Sequence, residues 1–513
     1  MHAFTISRRS FLVSAGLAAM DLRRHQGFAQ GSSSPVVVGT PLGGLRGEET
    51  QGVRVFRGVP FAEPPLDPLR FRPPFPAKAW KGIRDATRFP AAAMQYNLPP
   101  TVEQSEDCLY LNVWAPQGPG PFPVYVWIHG GGFTGGRSFS PMFDGTGLAR
   151  AGIVCITVAY RLGVLGFLNV EPLLVDGYRD GANNALRDLM TALAWVQDNA
   201  AAFGGDPSRV TIGGESAGAK LVDTLIGVPA AESLFHQVIS ESGGAERVWN
   251  LHDSEEVAQG FGALWRTSTG QAVSALATAP AAMLIQTQRQ FMRTWPKHFP
   301  LRPAVDGGLL PRLPIETIQA GASKNRRLLI GTNRDESALF IGPHPAQDPG
   351  AGELGNLPVA RFDTVLDEYK RIDPEMTDAQ RRIRATTAEE YWVPSIRMAD
   401  AFLKGGGEAW MYMLDFAESS GRFQGLAFHS LDLRLVWDHP SATIANATAE
   451  AALAMQLREA WNSFLRGNAP AASGLPAWPE YRSHTRPTMM LNATSRIEDA
   501  PQEAELRLWN GVL

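Results

Sequence analysis

The strongest constraint on the fold is a series of short, almost unbroken apolar runs separated by segments of helical spacing. Val124-Tyr125-Val126-Trp127-Ile128 and Ile153-Val154-Cys155-Ile156-Thr157-Val158 are apolar on nearly every residue rather than on every second one. A strand written this way is covered on both faces. Between Asn184 and Phe203, Leu186, Leu189, Leu193 and Val196 recur at three- and four-residue spacing, which predicts a helix. Val210-Thr211-Ile212, Leu328-Leu329-Ile330 and Ala409 to Phe416 read as further strands, and Ala452 to Phe464 as a further amphipathic helix. Such alternation implies an α/β fold, a mainly parallel central sheet flanked by helices. No internal repeat or dividing linker is visible. Residues 30–513 therefore read as a single domain, with long helical insertions at about 246–320 and 341–405. Insertions between strands of such a sheet build loops over its site.

Composition removes several classes of function. The 513 residues are 44% hydrophobic and 19% charged, with 47 basic residues against 51 acidic. That is ordinary globular usage. No long basic block occurs, which argues against a nucleic-acid partner. No apolar run reaches the ~18 residues of a membrane-spanning helix. The expected partner is a small molecule, and the expected assembly a monomer or homodimer.

The first thirty residues read as an address. Ser7-Arg8-Arg9-Ser10-Phe11-Leu12 is a twin-arginine pattern, followed by a short apolar stretch from Phe11 to Met20. Gly27-Phe28-Ala29 places small residues where a signal peptidase reads, so residues 1–29 are expected to be a twin-arginine-type signal cleaved after Ala29. The expected location is periplasmic or secreted, and cytoplasmic if the signal does not function. Arg23 and Arg24, after the apolar stretch, are atypical of such a signal. The two cysteines, Cys108 and Cys155, have no partners at metal-ligand spacing. Cys155, inside an apolar run, reads as a small core residue.

Chemistry concentrates where strands end in glycines. In Gly214-Glu215-Ser216-Ala217-Gly218 the glycines remove the Cβ clashes that would block a tight strand-to-helix turn, leaving the Ser216 hydroxyl exposed on an elbow. An ordinary glycine-rich turn is the competing reading. The second place is His129-Gly130-Gly131-Gly132-Phe133. Successive glycine N–H groups can approach a developing oxyanion without side-chain obstruction, and Gly131, Gly132 and Ala217 are the expected donors. A phosphate-binding loop is the rival, but its Lys and Ser/Thr are missing. His129 reads as a prop for the loop.

The stretch Phe203-Gly204-Gly205-Asp206-Pro207-Ser208-Arg209-Val210-Thr211-Ile212-Gly213-Gly214-Glu215-Ser216-Ala217-Gly218 resembles the serine signature of type-B carboxylesterases, the family of bacterial para-nitrobenzyl esterases and their cholinesterase-like relatives. Glu106-Asp107-Cys108-Leu109-Tyr110-Leu111-Asn112-Val113-Trp114-Ala115-Pro116 resembles the family's second signature. Supporting matches run from Phe56-Arg57-Gly58-Val59-Pro60-Phe61-Ala62 to Trp478-Pro479-Glu480-Tyr481. The resemblance implies an α/β-hydrolase fold and a Ser-Glu-His triad. It selects Glu336 rather than Asp335 in Gly331-Thr332-Asn333-Arg334-Asp335-Glu336-Ser337, a segment that would otherwise read as a solvated acidic turn. Relatives usually carry Gly after this glutamate; here Ser337 stands there. His429, in Gly425-Leu426-Ala427-Phe428-His429-Ser430, matches the family's Gly-x-x-x-His loop, ahead of His439 and His484. The order Ser216, Glu336, His429 is that of α/β-hydrolases.

The resemblance also implies a disulfide from the cysteine of the second signature to an upstream one. Ala91-Ala92-Ala93-Met94-Gln95 supplies none, so Cys108 is expected to be free. Glu106 is expected to pair with a base such as Arg70. Glu215 reads either as a charge tuning His429 or as a structural hydrogen-bonding carboxylate. The expected activity is hydrolysis of small to medium carboxylic esters through an acyl-enzyme, with no metal or cofactor. Cleavage of amides, carbamates, lactones or longer-chain lipids by the same triad, and a non-catalytic binding role, are the alternatives. Phe291, Trp295, Phe340 and Trp392 are candidates for a substrate pocket or for core.

Overall fold

The computed structural model describes residues 33–513, apart from 97, 175–176, 179–180, 345–356, 358 and 440–446. The expected signal, residues 1–29, lies outside the described residues, as does part of the second insertion.

Fifteen strands follow one another among the described residues. They are β1 (Ser34–Thr40), β2 (Gly43–Thr50), β3 (Val53–Pro60), β4 (Ile83–Asp85), β5 (Ala92–Ala93), β6 (Gln104–Ser105), β7 (Tyr110–Pro116) and β8 (Phe122–Ile128). The remainder are β9 (Val154–Val158), β10 (Gly205–Glu215), β11 (Gln237–Glu241), β12 (Arg327–Asn333), β13 (Glu408–Leu414), β14 (Pro487–Leu491) and β15 (Arg496–Asp499). One sheet runs in the order β1-β2-β3-β7-β9-β8-β10-β11-β12-β13-β14-β15, with β4 beside β2. From β9 through β14 every neighbouring pair is parallel. The N-terminal strands form an antiparallel apron joined through β7.

The all-apolar runs behave as their composition dictates. Alternate side chains of a strand point to opposite faces, and in β8 Val124, Val126 and Ile128 enter one core layer while Tyr125 and Trp127 enter the other. Cys155 falls in the second layer, fully buried. The helix Asn184–Asn199 covers the first layer with Leu186, Leu189, Leu193 and Val196. The helix Ala447–Leu465 covers the second with Leu457, Trp461 and Phe464. Outside strands with a sparse apolar signal, such as Gly43–Thr50, were not foreseen: of that strand only Leu45 and Gly47 are buried.

Topology places the site. From β8 the chain first forms β9 on one side, then returns to form β10 on the other. The carboxyl ends of β8 and β10 therefore open a crevice between diverging connections, the switch point where open α/β sheets bind ligands. Their register pairs Gly214 with Ile128, so the glycine loop and the serine turn leave the sheet side by side. Residues 246–320 carry the helices Leu251–Thr269 and Ala281–Thr294, and residues 341–405 carry Val359–Ile372, Asp378–Thr387 and Val393–Lys404.

The second signature is held as its charges suggest. Arg70 donates to both carboxylate oxygens of Glu106, from Nε at 2.7 Å and from a terminal nitrogen at 2.5 Å. It also donates to the carbonyls of Leu276 and Ala279, tying the N-terminal region to the first insertion. Cys108 and Cys155 are both free and buried. Ala93 and Met94 line a small cavity with Cys108, where no second thiol is present.

Candidate active site

Strand β10 ends at Glu215, and the helix Ala217–Ile226 begins two residues later. Ser216, between them, is forced to φ 57°, ψ −124°, a conformation costly for any residue with a Cβ. The turn closes only because its flanks are glycine. A Cβ on Gly218 would come within 2.0 Å of the Ile128 carbonyl oxygen, and one on Gly214 within 2.6 Å of the same atom. The Ser216 N–H donates to the Glu241 carbonyl at 2.9 Å, tying the elbow to β11. Strain is thus supported by backbone pairing on either side, and Ser216 as a residue keeps 9% of its surface exposed in an otherwise buried turn.

The loop after β8 lies against this elbow, since a Cβ on Gly130 would be 3.0 Å from that of Ser216. Gly131 and Gly132 adopt φ 119° and 60°. Among the described residues the N–H groups of Gly131, Gly132 and Ala217 have no hydrogen-bond partner. They are free to receive an anion, and the one on Ala217 adds the positive end of a helix dipole. Gln95 holds the loop by accepting from the Gly136 N–H at 3.0 Å and donating to the Gly136 carbonyl at 2.8 Å. His129 is buried against Tyr160, ring centroids 4.6 Å apart, and burial pushes its pKa down to about 4. It is a neutral prop.

Glu336 follows β12 and is fully buried. Its Oε1 accepts from the Asn333 N–H at 2.8 Å and from the Ser242 hydroxyl at 2.5 Å. Its Oε2 lies 2.5 Å from His429 Nδ1. Asp335 points elsewhere, receiving Arg334 and the Ala427 N–H, and so braces the loop that delivers His429. Ser337 adopts φ −69°, ψ −14°, which needs no glycine, and its N–H donates to the Thr387 hydroxyl at 3.1 Å. His439 and His484 are exposed, whereas His429 is buried.

Ser216 follows β10, Glu336 follows β12 and His429 lies in the loop after β13; the His429 ring meets both Glu336 and Glu215, the residue before Ser216. His429 Nε2 lies 3.1 Å from Glu215 Oε1, and the Ser430 hydroxyl donates to the same oxygen at 2.5 Å. No hydrogen bond joins the Ser216 hydroxyl to His429 among the described residues. Hydrogen bonds of this kind are often loose before substrate binds. Burial works against a charged imidazole, but Glu215 and Glu336 outweigh it and hold the His429 pKa above the ordinary value. Burial, opposed by His429, raises the Glu215 pKa to about 7.

Aromatic rings wall the site. Phe340 and Tyr391 stand 5.0 and 4.8 Å from the His429 ring, and Phe299, itself at φ 51°, packs over Gly132. Of the four aromatic candidates, Phe340 therefore reaches the site. Phe291 and Trp295 pack against each other with tilted rings in the first insertion, with Phe291 edge-on to Phe261, and Trp392 is buried core. Sequence reasoning missed Ser242, Phe299 and Tyr391. Ser242 had only a partial signal: the apolar pair Val238-Ile239 is followed by Ser240-Glu241-Ser242 before Gly243 and Gly244. The two rings had none, because only the tertiary fold brings their insertions over the sheet. No group of three or more His, Cys, Asp or Glu suited to a metal occurs among the described residues.

The carboxylesterase family model matches residues 34–509. The chain belongs to the carboxylesterase family. This carboxylesterase is 34% identical to the para-nitrobenzyl esterase of Bacillus subtilis (strain 168), over 91% of its own length and 96% of that protein. It is 34% identical to the fumonisin B1 esterase of Sphingopyxis macrogoltabida, over 88% and 86% of the two chains. Among solved structures it is similar to a PNB esterase at TM-score 0.80 and 32% identity, and to the Geobacillus stearothermophilus carboxylesterase EST55 at 0.81 and 33%. Each comparison covers 92% of this carboxylesterase and 99% of the other chain. The fold is that of the α/β-hydrolases, and the protein is a carboxylic ester hydrolase.

Proposed function

We propose that this esterase works through a Ser216 acyl-enzyme, with His429 as the base, Glu336 as its orienting acid and the N–H groups of Gly131, Gly132 and Ala217 as the oxyanion hole. The observation that carries the reading is the set of three unpartnered amides beside a strained serine, with the His429–Glu336 pair next to it. His429 Nε2 takes the Ser216 proton as the oxygen attacks the ester carbonyl. The tetrahedral oxyanion is held by the three N–H groups, which need no reorganisation as charge develops. The leaving alcohol receives the proton from His429, and water deacylates Ser216 by the same route. Glu336 stabilises the transient imidazolium. Glu215 must yield its place beside Nε2 when the serine proton is transferred, and it tunes the basicity of the ring.

The substrates we propose are esters of small to medium acyl groups, because Phe299 and Phe340 crowd the space over Gly132 and His429. Hydrolysis of para-nitrophenyl acetate, butyrate and palmitate by the purified protein, beside Ser216→Ala, tests the reading. Short esters should turn over fastest, and the variant should lose at least ~10³-fold in kcat/KM. Activity surviving in Ser216→Ala would mean another nucleophile, and preference for an anilide or for palmitate would move the substrate class.

We further propose export by the twin-arginine route, on the strength of Arg8 and Arg9 followed by an apolar stretch. Two free buried thiols suit a protein that folds in a reducing cytoplasm before export. Retention of an Arg8→Lys/Arg9→Lys variant in the cytoplasmic fraction is the expected result. We propose a monomer or homodimer, which sedimentation distinguishes.

A further inference from the structure

Lys220 is buried one helical turn after Ser216, and the mechanism above gives it no role. Its ammonium donates to the carbonyls of Gly243 at 3.0 Å and Glu390 at 3.2 Å, and stands 3.5 Å from Glu390 Oε1. It also lies 4.6 Å from the centroid of the Tyr391 ring, and that ring meets His429 at 4.8 Å. Three elements around the site are thereby knit to one cation: the helix that starts at the nucleophile, the turn carrying Ser242, and the segment Ala388–Trp392.

That last segment has its own irregularity. Ala388–Trp392 is a π-helical turn between the helices Asp378–Thr387 and Val393–Lys404. Such turns recur at functional sites because the widened backbone re-aims a side chain. Here the re-aimed side chains are Glu390, toward Lys220 and Arg247, and Tyr391, toward His429. The charged groups facing Lys220 are Glu390, Arg247, Asp223 and Glu336. Burial works against a Glu390 carboxylate, but Arg247 and Lys220 hold its pKa below the usual carboxylate value. An ammonium beside a desolvated ring is attracted to the ring's π-face.

We infer that Lys220 is a positioning residue for ester hydrolysis, fixing the Tyr391 ring and through it the plane of His429. The inference rests on Ser216 and His429 being the reacting pair, which Ser216→Ala tests separately. A base displaced by ~1 Å loses up to ~10²-fold in rate, so an imidazole free to tilt should lose kcat rather than substrate affinity.

A double-mutant cycle with Lys220→Met and Tyr391→Leu tests this on the full protein. Each single variant should lower kcat about tenfold or more while KM stays within about twofold. Lys220→Met should have no further effect in the Tyr391→Leu background, because the ring through which it acts is gone. Additive losses would overturn the inference. So would an equal shift of the acid limb of the pH profile by Lys220→Met in both backgrounds, since that marks a charge acting on His429 directly. Should Lys220→Met not fold, Lys220→Gln takes its place in the cycle: its kcat loss must vanish in the Tyr391→Leu background, and a loss of undiminished size there would overturn the inference.

Discussion

The Nε2 atom of His429 lies 3.1 Å from Glu215 Oε1, on the nitrogen that the proposed mechanism uses to take the Ser216 proton. The resting imidazole is therefore held between two carboxylates, with Glu336 on Nδ1 at 2.5 Å. This geometry favours a protonated ring and, under the proposed mechanism, would tie the pH response to the residue next to Ser216.

Activity should fall on acidification at a pH above the ordinary histidine value, because Glu215 and Glu336 raise the His429 pKa against the effect of burial. Replacing Glu215 by Gln removes one raising charge, so the acid limb of kcat/KM should move to lower pH. A limb that stays in place in Glu215→Gln would show that Glu215 does not control the base.

The ring of Phe299 would be 3.2 Å from a Cβ on Gly132, close enough to limit what enters beside the oxyanion loop. Phe299→Ala should raise kcat/KM for para-nitrophenyl octanoate relative to acetate by roughly tenfold. An unchanged ratio would place the acyl chain elsewhere.

Arg70 and Glu106 form a bidentate pair whose side chains are only 9% and 10% exposed. Arg70→Met strands a buried carboxylate and two carbonyls of the first insertion, so destabilisation of ~3–5 kcal/mol is expected. Denaturant unfolding measures it, and a change below ~1 kcal/mol would show that the pair is solvated in solution.

Both thiols are buried and burial pushes their pKa far up, so neither supplies a thiolate near neutral pH. An aromatic disulfide reagent should find no reactive thiol in the native protein and two after denaturation without reductant. Fewer than two in the denatured protein would reveal a disulfide, within one chain or between two.

Much of the site could be read along the chain because its parts are local. Glycines flanking Glu215-Ser216-Ala217 permit a tight serine elbow after a strand, and three glycines after an apolar strand can leave amides open. Those requirements concern φ/ψ and Cβ clearance within a few residues, so Ser216, Gly131, Gly132 and Ala217 stand out in the chain as candidates. Glu336 and His429 stand out less. Without the family resemblance, Asp335 and Glu336 are interchangeable on paper, and only the Arg334 and Ala427 contacts of Asp335 explain why Glu336 faces the imidazole.

The sequence by itself determined the layered α/β plan, since all-apolar strands and helices with one apolar stripe can bury their surfaces in few other ways. It also determined the local geometry of the two glycine-rich turns. Tertiary structure alone decided the distances at which Glu336 and Glu215 flank His429, which rings wall the site, and that Lys220 reaches Tyr391. Those contacts join residues as far apart in the chain as Glu215 and His429, and no spacing in the chain encodes a distance between side chains that meet only when the insertions pack over the sheet.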